Sequence, residues 1–247
     1  AYCEQDEKCH AAYPDIRGDW KRVLERFADG PVATSYIPPG MDTPASLNMA
    51  GLADGVHQLM YKSGTYVQLP FLLHTLATTE DWGPVVESYQ AQYDSSGGDE
   101  DDGILLMPHV IFCSEPAWGI QPDQVERFSP GSYYTDGVVE WARNEQKLCA
   151  ALPKPDPSLI YDPGKSTPLS ALMFNSLIDP QNPPSNMDLA LKEFTKSRVV
   201  VEPTEGHDTS ASRCRWDIVA QYIEQGSVDE LDISCMEEQK PSFVTGE

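Results

Sequence analysis

Basic residues are scarce in this chain, which has 17 Lys and Arg against 39 Asp and Glu in 247 residues, for a formal net charge of −22. Such a charge repels nucleic-acid phosphates and anionic lipid headgroups, so neither nucleic acid nor a membrane surface is expected as a partner. An acidic field attracts cationic ligands, such as the amino terminus of a peptide. Solubility in a salty or extracellular setting is the simpler explanation of the charge.

Long apolar runs are also absent, since none approaches the roughly 20 residues that a helix needs to cross a bilayer. The sequence begins with Ala1-Tyr2-Cys3 and shows neither an initiator Met nor a signal peptide at that end. We therefore expect a processed or truncated product.

Cys-x-x-Cys motifs are missing, and no His lies at metal-ligand spacing from a Cys, so we expect neither a metal site nor another cofactor. An even number of cysteines without a metal motif favours disulfides and an oxidising compartment, and hence a secreted or extracytoplasmic protein. Pairing between neighbours along the chain is the simplest of the fifteen possible pairings. Six buried thiols in a cytosolic protein are the alternative. The neighbour pairs are Cys3–Cys9, Cys113–Cys149 and Cys214–Cys235.

The first half of the chain has helical periodicity and no clearly alternating strand. The predicted helices cover Asp15–Phe27, Met49–Met60, Tyr66–Leu76 and Trp82–Tyr93. The apolar run from Ile104 to Phe112 is ambiguous at this length, and a further helix is predicted over Ser132–Cys149.

The second half alternates apolar strands with helices, which predicts an α/β fold. One strand lies within Ser170–Pro180 and another within Ser197–His207, with a helix over Asn186–Lys196 between them. Because two strands cannot form a stable sheet alone, we expect the later part of a larger α/β body.

The last predicted helix covers Arg213–Gln225 and stops at Gly226, a residue type that commonly ends helices. Its periodicity predicts an inward face made of Trp216, Val219, Ala220 and Ile223.

One candidate catalytic residue follows each predicted strand where its apolar run ends. Asp179 follows the first strand and His207 follows the second. The carboxyl ends of parallel strands meet in a shared crevice, so we expect these side chains to lie together. An Asp and a His there can supply the orienting acid and the general base of a nucleophilic site. Alternatively, Asp179 caps the following turn and His207 is an ordinary loop histidine. Asp188 and Asp208 are competing acids, for which solvent-exposed first-turn and loop positions are the simpler assignment.

The order of several short motifs resembles the C-terminal part of α/β-hydrolases of the tripeptidyl-aminopeptidase-like (TAP-like) group. Phe174–Pro183 resembles the strand-end acid motif of that family, and Glu205-Gly206-His207 resembles its catalytic Gly-His. Cys214 and Cys235, around a helix that stops at Gly226, are similar to its terminal cysteine pair. Other segments are similar to the family's cap and to the return from the cap: Cys3 to Cys9, Tyr61, Leu69-Pro70-Phe71 and Ile111–Glu115.

By this resemblance, residues 1–112 form a helical cap and residues 113–247 form the C-terminal part of an α/β-hydrolase sheet. His207 is then the general base and Asp179 the acid that orients it. Glu115 is a candidate ligand for the α-ammonium group of a peptide substrate, although a surface Glu is the simpler assignment.

The nucleophilic Ser of that family lies in a Gly-x-Ser-x-Gly turn before the cap, and this sequence contains no such motif. Ser96 and Ser132 lack the required strand–turn–helix context. We therefore expect the Ser on an upstream segment or an upstream chain, and this chain alone to be inactive. The resemblance implies part of a secreted serine exopeptidase that acts on small peptides or esters. The alternative is a non-catalytic acidic binding module with a hydrolase-derived fold.

Overall fold

The computed structural model describes residues 2–87, 90, 106–114, 135–152, 166–208 and 212–246. The chain divides into two compact units, each made of separate stretches of sequence. The first comprises Ala1–Asp29, Asp54–Glu80 and Pro163–Glu247, and the second comprises Gly30–Ala53 and Asp81–Asp162. This division does not test the boundary between a cap over residues 1–112 and a body over residues 113–247, which stays a prediction.

The first unit begins with three helices, α1 (Tyr2–Gln5), α2 (Glu7–Ala12) and α3 (Ile16–Glu25). Side-chain caps start two of them: Asp6 accepts a hydrogen bond from the Cys9 N–H at 2.8 Å, and Asp15 accepts one from the Gly18 N–H at 3.1 Å. The Cys3–Cys9 disulfide joins α1 to α2 and lies in a small buried cluster.

Three predicted helices of the first half are confirmed. They are α3, α4 (Met49–Tyr61) and α5 (Leu69–Thr78), the last preceded by a 3-10 turn over Tyr66–Gln68. Pro70 lies in the first turn of α5, where its missing N–H costs nothing. Of the helix predicted over Trp82–Tyr93, residues 83–87 and 90 are helical, and residues 88, 89 and 91–93 lie outside the described residues.

The predicted absence of strands from the first half is wrong in one place. β1 (Val32–Ala33) pairs antiparallel with β2 (Ser46–Leu47). Each strand has only two residues, which is too short to give an alternating sequence pattern.

In the second unit, α6 (Leu106–Ser114) and α7 (Thr135–Ala151) are joined by the Cys113–Cys149 disulfide. The apolar run that ends at Cys113 is helical from Leu106 onward, and the helix predicted over residues 132–149 is confirmed from residue 135 onward; the earlier residues of both segments lie outside the described residues. His109 Nδ1 lies 2.9 Å from a carboxylate oxygen of Glu145, so this pair makes a second link between the two helices.

The first unit also contains a parallel pair of strands, β3 (Thr167–Ser176) and β4 (Phe194–Glu202). A 3-10 turn over Pro184–Asn186 and the helix α8 (Met187–Glu193) connect them, as a parallel pair requires. The register pairs Ser176 with Glu202, so both strands end side by side and their following loops leave from one edge. This pair and its helices have the α/β character that the sequence predicts.

The element boundaries differ from the predicted ones because the apolar runs extend beyond the hydrogen-bonded ladder. β3 ends at Ser176, before Asp179, and β4 ends at Glu202, before His207. The connecting helix ends at Glu193 rather than Lys196, since β4 already begins at Phe194.

Helix α9 (Arg213–Gln225) has the predicted bounds, with Ser212 as its N-cap and Gly226 in the left-handed conformation (φ 65°) as its C-cap. Ile218 is fully buried against Val200 of β4. The short helix α10 (Ser234–Glu237) follows, and the Cys214–Cys235 disulfide ties it to α9.

The predicted inward face of α9 is wrong for three of its four residues, and only Val219 is half-buried. Trp216 and Ile223 are 59% and 73% exposed, and Ala220 is exposed as well. The face that packs on the strands contains Cys214, Ile218 and Tyr222, which lie four residues apart and include the disulfide cysteine. Both faces carry apolar residues at helical spacing, and the disulfide and β4 determine which of them is buried.

The six cysteines are paired as Cys3–Cys9, Cys113–Cys149 and Cys214–Cys235, the neighbour pairing expected from the sequence. Over the part of the chain that the structure describes, none of the helices is long and apolar enough to cross a membrane.

Candidate active site

The turn after β3 positions Asp179. Its carboxylate oxygen Oδ1 accepts hydrogen bonds from the N–H groups of Gln181 and Asn182, both at 2.8 Å. The side chain of Asp179 is only 8% exposed. The carboxylate is therefore held by its own turn, as the capping alternative proposed, and still has capacity for a further donor.

Asn175 ties this turn back to the sheet, because its Nδ2 donates to the Asn182 carbonyl oxygen at 2.9 Å. Asn175 is buried near the end of β3. Sequence reasoning missed this residue, and the available signal was a polar amide inside an otherwise apolar strand.

His207 contacts the same carboxylate. Its Nδ1 lies 3.0 Å from Oδ2 and 3.1 Å from Oδ1 of Asp179, and its side chain is 26% exposed. A carboxylate has no proton to give, so Nδ1 carries the hydrogen and donates. The neutral imidazole then presents an unprotonated Nε2, the atom that a general base needs.

The electrostatics of Asp179 favour its charged form. Burial raises the pKa of Asp179, but the N–H groups of Asn182 and Gln181 and the His207 side chain lower it, and the net pKa lies below the usual 3.8. Asp179 is therefore ionised at neutral pH and can stabilise a protonated His207.

The loop that carries His207 lies against the end of α4. The Asp208 N–H donates to the Tyr61 carbonyl oxygen at 2.8 Å, and Asp208 forms an isolated parallel bridge with Lys62. A Cβ atom on Gly206 would lie 2.2 Å from the Met60 carbonyl oxygen and 2.6 Å from that of Tyr61. Only glycine allows the two backbones to approach this closely.

A buried ion pair lies at the end of β4, where the loop begins. Glu202 there accepts a hydrogen bond from Nη2 of Arg215. Glu202 is fully buried, and the Arg215 guanidinium lies 4.8 Å from the centre of the Phe174 ring. Burial raises the pKa of Glu202, and the negative charge of the neighbouring Glu205 raises it further. The Arg215 guanidinium lowers the pKa of Glu202, but the net pKa is still raised. The pair connects the end of β4 to α9, although nothing in the sequence pattern singles it out.

Carboxylate–histidine contacts occur elsewhere in the chain. Asp19 is buried, and its oxygens lie 3.0 Å from His74 Nδ1 and 2.5 Å from Arg22 Nη2. The Asp19–His74 pair joins α3 to α5, and Arg22 contacts the same Asp19 carboxylate. The Asp179–His207 contact differs because both residues follow the carboxyl ends of adjacent parallel strands, where α/β proteins bind ligands.

The structure describes two of the remaining predicted residues, the competing acids Asp188 and Asp208. Asp188 is exposed in the first turn of α8, and Asp208 is exposed in its loop, as the simpler assignments held. Glu115, Ser96 and Ser132 lie outside the described residues. Among the residues that the structure does describe, no three His, Cys, Asp or Glu side chains form a group that could hold a metal ion.

Comparison with protein families shows that residues 138–235 match the model of the TAP-like protein family, an α/β-hydrolase model. The match contains both parallel strands, Asp179 and His207, so the expected likeness to a TAP-like C-terminal portion is confirmed over this segment. Neither the curated proteins nor the solved structures give a match to the chain.

Gly206 offers a direct test of the loop geometry. Replacing Gly206 with Ala should lower the free energy of unfolding by about 1–3 kcal/mol, because the added methyl group overlaps backbone oxygens that cannot rotate away. Chemical denaturation of both proteins measures the difference. An unchanged unfolding midpoint would show that the loop does not lie against α4 as described.

Asp179 should stabilise the fold in a pH-dependent manner. A carboxyl group with a lowered native pKa adds stability that is fully present above its unfolded pKa, here about 3.8, and that is lost as the pH falls through the native value. At neutral pH, Asp179→Asn should therefore be less stable than the parent by about 1–3 kcal/mol. The difference should shrink below pH 3.8 when unfolding is measured at a series of pH values. A gap that stays constant or widens towards acid pH would contradict this assignment.

Proposed function

We propose that this TAP-like α/β-hydrolase segment is the acid–base half of a serine hydrolase, with His207 as the general base and Asp179 as the carboxylate that orients it. The main support for this proposal is the contact between His207 and Asp179. His207 Nδ1 lies within hydrogen-bond distance of a buried, ionised Asp179 at the carboxyl edge of a parallel strand pair. In a nucleophile–base–orienter site this bond sets the tautomer and the direction of the imidazole.

The proposed chemistry is acyl transfer. Nε2 of His207 removes the proton from a serine hydroxyl as its oxygen attacks the substrate carbonyl carbon. Asp179 stays ionised and stabilises the imidazolium that results. His207 then gives this proton to the departing amine or alkoxide, and the acyl-serine remains. A water molecule, deprotonated by His207, attacks the acyl-serine, and His207 returns that proton to the serine oxygen as its bond to the acyl group breaks, which releases the acid and restores the serine hydroxyl.

We place the serine on a segment outside this sequence, because no Gly-x-Ser-x-Gly motif occurs within it. The described part of the sheet supports the same view, because its parallel component has two strands. Parallel strands are usually buried on both faces, yet Leu169 and Val201 are 66% and 40% exposed. We propose that an upstream segment or chain supplies further strands together with the nucleophile, and that residues 1–112 act as the cap.

The proposed substrates are small peptides or esters, with removal of short peptides from a free amino terminus as the main reaction. The net charge of −22 supports a cationic substrate end. Glu115 is the proposed partner of that ammonium group. Three disulfides support a secreted or extracytoplasmic location, where such bonds persist.

The proposal predicts that His207 is essential in a polypeptide that also contains the upstream serine segment. His207→Ala should lower kcat/KM for a peptide or ester substrate by at least about 10²-fold, the lower range for general-base catalysis. His74→Ala is the matched control, because His74 also contacts a buried Asp but belongs to α5 rather than to a loop that follows a parallel strand. It should retain the parent rate.

Two results would reject the proposal. One is hydrolysis by His207→Ala near the parent rate. The other is the absence of both a Gly-x-Ser-x-Gly segment in the upstream coding region and a serine that reacts with a fluorophosphonate probe in the native protein. The second result would favour the non-catalytic acidic binding module.

A further inference from the structure

Tyr61 lies beside the imidazole of His207, with the ring centres 4.5 Å apart and the planes tilted by 39°. Tyr61 is the last residue of α4, on an element that contributes neither Asp179 nor His207. The imidazole therefore has two neighbours that can restrict its rotation, the Asp179 carboxylate at Nδ1 and this aromatic ring.

Backbone contacts hold the tyrosine in this position. The Tyr61 carbonyl oxygen accepts the Asp208 N–H, and Gly206 lies against the carbonyl oxygens of Met60 and Tyr61. Two residues after Tyr61, Ser63 donates a hydrogen bond to the buried carboxylate of Glu205. Residues 60–63 and 205–208 thus run side by side, and these contacts bring the main chain of Tyr61 next to that of His207.

The uncharged ring of Tyr61 can contact both the neutral and the protonated form of the His207 imidazole. Burial raises the pKa of the Tyr61 phenol, and the nearby carboxylates of Asp208 and Asp179 raise it further. The ring stays uncharged at neutral pH and keeps its quadrupole. A cation within about 6 Å of an aromatic ring centre is attracted to the ring face, so the protonated imidazole gains from this contact.

We propose that Tyr61 is a positioning residue that holds the His207 imidazole in the orientation that keeps Nδ1 on Asp179 and Nε2 available to the nucleophile. The catalytic part of this inference rests on the proposed function. The structural part does not, because the orientation and tautomer of His207 can be measured without any serine.

The tautomer of His207 is the first readout. In the chain with ¹⁵N-labelled histidines, five in number, the His207 signals are assigned through His207→Gln. The parent should show a single Nδ1–H tautomer in the neutral form. Tyr61→Phe keeps the ring and should keep that tautomer, whereas Tyr61→Leu removes the ring and should give a mixture of tautomers and displaced imidazole proton shifts.

Tyr222→Leu is the matched control for stability. Tyr222 is also a half-buried tyrosine of the same unit, but its hydroxyl donates to the Ser170 carbonyl oxygen at 2.7 Å, away from His207. It should lower stability without changing the His207 signals. If Tyr61→Leu fails to fold, Tyr61→Met is measured in its place, since a flexible apolar side chain fills the space without an aromatic ring.

The second readout is kinetic and uses the polypeptide that contains the nucleophile. Tyr61→Leu should lower kcat by about 10²-fold with a smaller change in KM, the cost of misplacing a catalytic group by about 1 Å. Tyr61→Phe should restore most of the rate.

The outcomes separate the two claims. An unchanged tautomer and unchanged kcat in Tyr61→Leu would overturn the role of Tyr61. If Tyr61→Leu changes the tautomer while His207→Ala stays active, the positioning of His207 is supported and the proposed function has failed. If His207→Ala is inactive while Tyr61→Leu keeps both the tautomer and the rate, the proposed function holds and the inference about Tyr61 has failed.

Discussion

The hydrogen bond between Asp179 and His207 depends on the parallel pairing of β3 with β4. Because Ser176 lies opposite Glu202, the turn that carries Asp179 and the loop that carries His207 leave the strands side by side. A slip of one residue in this register would turn every side chain of one strand to the other face and would separate the two loops. The site is thus a consequence of strand register, and each residue that stabilises the register contributes to it indirectly.

Three kinds of contact stabilise the loops after the strands have ended. The turn after β3 is closed by backbone N–H groups on Asp179 and by the Asn175 amide. Glu202 at the end of β4 is paired with Arg215 of α9 in a buried setting, where removing either partner would leave an uncompensated charge. The loop at Gly206 is held by close backbone approach to α4. The loop that carries His207 is consequently held by contacts of β4 and α4, and the Asp179 carboxylate that contacts the imidazole is held by its own turn after β3, as a site with defined geometry requires.

The sequence was informative where a single periodicity operates along one element. The helices α3, α4, α5 and α9 follow from their apolar spacing and caps, and the two strands follow from dense apolar runs that end near polar residues. Asp179 and His207 could be paired in advance because strand ends meet in parallel sheets. The inward face of α9 could not be predicted from the sequence, because Trp216 and Ile223 have the same helical spacing as the buried face, which contains Cys214, Ile218 and Tyr222. The close approach of Gly206 to α4, the contact of Tyr61 with His207 and the Glu202–Arg215 pair join distant segments, and such contacts leave no pattern in one sequence.

The central claim is that Asp179 and His207 interact directly and specifically. A double-mutant cycle with Asp179→Asn, His207→Gln and the double variant, followed by chemical denaturation at neutral pH, tests it most directly. The account predicts a coupling free energy of about 0.5–3 kcal/mol between the two positions, as found for residues in direct polar contact. Additive effects of the two substitutions would contradict it, because they would show that the carboxylate and the imidazole do not interact in the folded protein.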